Sequence, residues 1–166
     1  MNKAKTPPGC PARIMLEVWH ALAWKARRLE RLNYNAIMLS HHHIGSSERI
    51  VDKIIEHLAI INSLKNIIGK IEQLTSDMTN NQHGEILRLF FCNKLTYAKL
   101  AVQLGLSERT VYRRMPVAID EFQARFAETG INTFTINMLR REHPDIFNGA
   151  RFASCPVDER TAHKTQ

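Results

Sequence analysis

Long apolar runs are missing from this chain. No stretch of its 166 residues approaches the roughly 18 consecutive apolar positions that a membrane-spanning helix needs. The opening MNKAKTPPGCPARIM also lacks the apolar segment of a secretion signal, so the expectation is a cytoplasmic protein. Cysteine is scarce: Cys10, Cys92 and Cys155 are far apart, odd in number and form no CxxC pair. That excludes a disulfide framework and suits a reducing compartment. There are 7 glycines, and none falls in GxGxxG or in GxxxxGK followed by Ser or Thr, which argues against a nucleotide-phosphate loop. Acidic residues are scattered, with neither paired carboxylates nor a nucleophile beside a base. The expectation is a protein with no enzymatic role, no cofactor and no bound metal.

What the chain does have is positive charge and helical periodicity. Its 23 Lys and Arg outnumber 16 Asp and Glu, a formal +7, which favours polyanionic partners. The excess is greatest in residues 1–45, whereas residues 46–82 are close to neutral. The 44% hydrophobic content is enough for a core. No strand-like alternation of any length occurs, so the expected fold class is all-α.

Residues 1–11, with Pro7, Pro8, Gly9 and Pro11, read as a disordered lead-in. From Ala12 to about Asn33, Met15, Val18, Trp19, Leu22, Ala26 and Leu29 recur at helical spacing, with Lys25, Arg27, Arg28 and Arg31 on the opposite face. The stretch 40–47 (SHHHIGSS) reads as a loop. Its three consecutive histidines cannot all point at one ion, so a polar loop is preferred to a metal site. A second helix is expected from Ser46 to about Ser76, with Ser46 or Ser47 as its cap and Glu48 in its first turn. Ile60, Leu64, Ile67, Ile71, Leu74 and Met78 form a heptad seam along it. About 31 residues would span roughly 46 Å, more than a small core needs to cover. Residues 12–80 are therefore predicted to be a long-helix hairpin that dimerises as a coiled coil through residues 46–78. His57 is expected as a core or interface histidine, and Cys92, beside Phe90 and Phe91, as a buried small hydrophobe.

Beyond Thr79 the pattern shortens. Helices are predicted over about 82–93, 96–103, 107–115 and 116–128, with Gly130 ending the last. Another covers about 133–142 and stops before Pro144. Residues 81–130 thus form a second unit, and 131–166 a short helix with a polar tail.

Within the second unit, the 20 residues from Tyr97 to Pro116 carry a helix-turn-helix pattern. Ala101 is small where a second helix must cross. Gly105 supplies the positive φ of the tight turn, and Val111 is the apolar plug of the second helix. Thr96 and Ser107 stand at the two N-cap positions. In such a unit the second helix, here 107–115, enters the major groove of double-stranded DNA. Its outward positions include Ser107, Arg109, Thr110, Tyr112 and Arg113. Arg109 and Arg113, four apart, share a face, and each can fork onto O6 and N7 of guanine. Arg114, Lys99 and the Thr96 hydroxyl suit phosphates.

The segment Phe91–Phe122, with LTYAKLAVQLGLSERTVYRRMPVAIDEF at its centre, resembles the sigma-like C-terminal domain of the ArpU/RinA-type phage late-gene transcription regulators. The likeness extends over Leu87–Phe126 and, for the first 80 residues, is one of helical character only. It implies a small cytoplasmic, nucleoid-associated regulator that binds promoter-proximal DNA, with RNA polymerase as a further partner. Two departures stand out. Pro116 is expected to break the reading helix and to re-aim Arg113 and Arg114, and residues 131–166 exceed the family pattern. Two other uses of the same features stay open. One is the small, DNA-recognising subunit of a phage terminase, although such subunits usually place the helix-turn-helix first. The other is a protein-docking module.

Overall fold

A computed structural model describes residues 10–40 and 47–148, all helix and connecting turns. The lead-in through residue 9, residues 41–46 with the histidines and Ser46, Cys155 and the polar tail from residue 149 lie outside the described residues. Helix α1 (Pro11–Ser40) begins with proline at its first position, where the missing N–H costs nothing. It packs against α2 (Ser47–Ser76) as a hairpin. Helix α1 runs seven residues past the expected end at Asn33, because Ala36 to Leu39 keep helical composition and the chain there still lies beside α2.

The first half of α1 is the centre of the molecule. Ala12, Ile14, Met15, Leu16, Val18, Trp19 and Leu22 are all buried, and they cover more than half of the helix circumference. The remaining side carries Arg13, Glu17 and His20, each partly buried, so neighbours pack against that side too. Here α2, α5 (Glu108–Arg125), α6 (Thr133–Glu142), α7 (Pro144–Phe147) and a π-helical turn (Arg88–Cys92) enclose it.

The heptad seam of α2 has the same fate. Leu64 and Ile71 are fully buried, and Ile67, Leu74 and Met78 nearly so, in one core that includes α1 and the C-terminal helices. The surface predicted to bind a second chain is thus occupied by this chain's own helices. The reason is proximity: α1, α3 (Asn81–Leu87) and α5 all reach that half of α2 and cover it first.

That core is continuous across residue 80. Ile86, Leu87, Leu89 and Phe91 belong to it, as do Ile131, Ile136, Leu139 and Ile146. Residues 131–148 are therefore part of the body. Lys25 of α1 holds them from the side: its Nζ donates to Asp145 Oδ1 at 2.7 Å and to His143 Nδ1 at 3.3 Å. The short α7 departs from the expected stop before Pro144: the proline begins a new turn at its first position.

Helix α3 comes very close to α2 at Gly84. A Cβ there would lie 1.9 Å from the backbone oxygen of Thr75, so only glycine allows this crossing. The predicted helix 82–93 divides: α3 ends at Leu87 and continues as the π-helical turn, in which Asn93 N–H donates to Arg88 O at 3.1 Å. This wider turn places the carbonyl of Cys92 2.6 Å from His20 Nδ1 of α1.

Candidate nucleic-acid interface

Helices α4 (Tyr97–Leu104) and α5 meet through a turn whose backbone bonds are all local. Gly105 takes the left-handed conformation, φ 63° and ψ 31°. Leu106 N–H then reaches back to Ala101 O at 2.9 Å and Gly105 N–H to Val102 O at 3.3 Å, the two bonds of a Schellman motif. Thr96 caps α4, its hydroxyl accepting from Lys99 N–H at 3.4 Å, and Ser107 caps α5 by accepting from Thr110 N–H at 3.2 Å. The two helices close on Leu100, Ala101, Val111 and Met115, all buried. Glu108 sits in the first turn of α5, where the helix dipole favours a carboxylate.

Pro116 does not break α5. The helix is continuous from Glu108 to Arg125. Proline removes one backbone bond, to the Tyr112 carbonyl, and strains the turn before it, at a cost of about 3 kcal/mol in a helix interior. The cost is borne because Pro116 lies on the exposed side, while Met115, Ala118 and Phe122 fix the opposite side in the core.

The eight residues singled out for DNA contact fall into three groups. Arg109, Arg113 and Lys99 are exposed, and they make no hydrogen bond or ion pair through their side chains among the described residues. Thr96, Ser107 and Thr110 serve the caps, with Ser107 Oγ and Thr110 Oγ1 2.8 Å apart. Tyr112 and Arg114 are committed to neighbouring elements. The Tyr112 ring stacks on Tyr97 of α4, with centroids 4.1 Å apart and planes 12° apart. Arg114 Nη1 donates to Gln82 Oε1 of α3. Arg114, expected at phosphate, is instead half-buried and braces α5 against α3; its position beside Gln82 follows from the unbroken helix.

The residues that hold this surface carry no local sequence signal. Tyr97 continues the stack to Phe90, 5.0 Å away, and Phe90 meets Phe91 edge-on at 5.0 Å. The Arg13 guanidinium of α1 lies 5.5 Å over Phe91. A row of rings thus ties the first turns of α5 to the central helix. Burial, and then the neighbouring Tyr112, push the Tyr97 phenol above its ordinary range, so it stays protonated. On the other flank, Glu121 accepts from His83 Nδ1 at 2.7 Å and from Thr79 N–H at 2.7 Å. Burial opposes ionisation there, but these hydrogen bonds prevail and hold the carboxyl below its ordinary range. Burial, reinforced by Glu72, pushes the half-buried Cys92 thiol up, as befits a small hydrophobe.

Among the described residues no cluster of His, Cys, Asp and Glu is placed to hold a metal ion, and no helix is long and apolar enough to cross a membrane. Neither protein families, curated proteins nor solved structures yield a match to this chain.

Proposed function

We propose that this protein is a sequence-specific regulator of transcription that binds double-stranded DNA, with α4 and α5 acting as a sigma-like helix-turn-helix. The observation that carries the reading is the exposed pair Arg109 and Arg113 on the first two turns of a Ser107-capped helix, set off from α4 by the left-handed Gly105. Residues 107–115 enter the major groove in this reading. The two guanidinium groups sit one helical turn apart and reach adjacent guanines; each good bidentate contact discriminates by about 1–3 kcal/mol. Lys99, one helix back, meets the phosphate backbone and sets the register. Arg114 and Tyr112 act by positioning, since their partners are Gln82 and Tyr97. The formal +7 strengthens association at low salt.

The resemblance of Phe91–Phe122 to the ArpU/RinA-type regulators makes a phage or prophage late promoter the target of choice. Selection of the full chain against a pool of randomised duplexes tests the reading. The expected result is enrichment of a short guanine-containing motif, with an affinity that falls steeply as salt rises. A pool that emerges unenriched, or binding indifferent to salt, would contradict it.

A further inference from the structure

The far half of the α1–α2 hairpin leaves apolar residues in the open. Tyr34 and Met38 of α1 are 62% and 51% exposed, and Val51, Ile55 and Leu58 of α2 are 51%, 60% and 47% exposed. On α2, residues 51, 55 and 58 recur at four and three, one stripe of the helix, and Lys65 extends that stripe by a heptad. On α1, Tyr34 and Met38 continue the row that starts at Glu30. Lys65 Nζ and Glu30 Oε1 meet at 2.5 Å, so these two stripes lie on the same side of the hairpin. The bond between His57 Nδ1 and Asn33 Oδ1, 2.7 Å, sets the register so that Tyr34 lies beside Ile55 and Met38 beside Val51. Nearer the body, the π-helical turn covers the same side of α1, through Cys92 on His20. The five side chains make one flat patch with no covering element among the described residues.

We infer that a second copy of this chain covers the patch, packing the two hairpins face to face about a two-fold axis into a four-helix bundle. Area is the argument. Five large side chains about half exposed present on the order of 500 Å² in one place, near the upper end of what a monomer leaves open. Two copies face to face bury about 1,000 Å², the size at which a specific interface begins. An isologous contact of this kind closes on itself and stops at two chains. The seam at residues 60–78 plays no part in it. DNA binding is not required.

Sedimentation equilibrium of the full chain, without DNA, tests this. The expected mass rises towards twice 19.1 kDa with a dissociation constant on the order of micromolar. Tyr34→Glu and Ile55→Glu, both at exposed positions, should stay monomeric with unchanged helical circular dichroism and melting. Three results would overturn the inference: a mass of one chain at about 100 µM, a dimer that survives both glutamate variants, or a larger ring of chains.

Discussion

The two halves of the α1–α2 hairpin are built from nearly the same residues and end in opposite environments. Ile71, near the body, is fully buried, whereas Ile55, sixteen positions earlier on the same helix, is 60% exposed. Isoleucine and leucine recur every three or four residues throughout α2, and periodicity shows which side of a helix is apolar. It does not show what will cover that side. Near the body the cover is α1, α3 and α5; towards the tip it must come from another molecule or be absent. A heptad seam can therefore be intact in sequence and still be unavailable for pairing between chains.

The sharpest way to break this comparison is to truncate one residue in each half. Leu64→Ala removes a wholly buried side chain and should cost about 2–5 kcal/mol in chemical denaturation. Gly84→Ala should come next, at about 1–3 kcal/mol, because the new Cβ meets the Thr75 backbone rather than a yielding side chain. The dock of α6 and α7 onto α1 should respond to acid. Burial, and then the neighbouring Lys25 charge, hold the His143 pKa below its ordinary value of 6.5. The folded state thus binds this proton less readily than the unfolded chain does. The stability from a neutral His143 is complete above about pH 6.5 and is lost as pH falls through the lowered folded value. Thermal melts from pH 7.5 to 5 should show the decline, and His143→Gln should flatten it. Gly69→Ala should raise stability by about 0.5–1 kcal/mol, since the added methyl group meets nothing and the helix loses its most flexible residue. Ile55→Ala, measured at concentrations too low for association, should move stability by less than about 0.5 kcal/mol.

The parts of the structure that could be read from sequence are those fixed by near neighbours. Gly105 had to be left-handed and Thr96 and Ser107 had to be caps, because each is decided within four residues. The hairpin and the all-helical class followed from long-range repetition of one pattern. The close approach at Gly84, the π-helical turn and the bracing of Arg114 by Gln82 depend on residues distant in the chain, and no local signal marks them. Pro116 shows a local rule overridden: the residues buried on its far side keep α5 whole. Among the proposed DNA contacts, residue type and spacing picked out Arg109 and Arg113, but only the packing shows that Tyr112 and Arg114 are engaged elsewhere.

The most direct test of the central proposal is a titration of wild type, Arg109→Ala and Arg113→Ala against the selected duplex and a scrambled duplex at matched salt. Each variant should lose about 1–3 kcal/mol on the selected duplex, roughly five- to 150-fold, and far less on the scrambled one, with melting unchanged. Variants that discriminate between the two duplexes as well as wild type does would contradict the assignment of α5 as the reading helix.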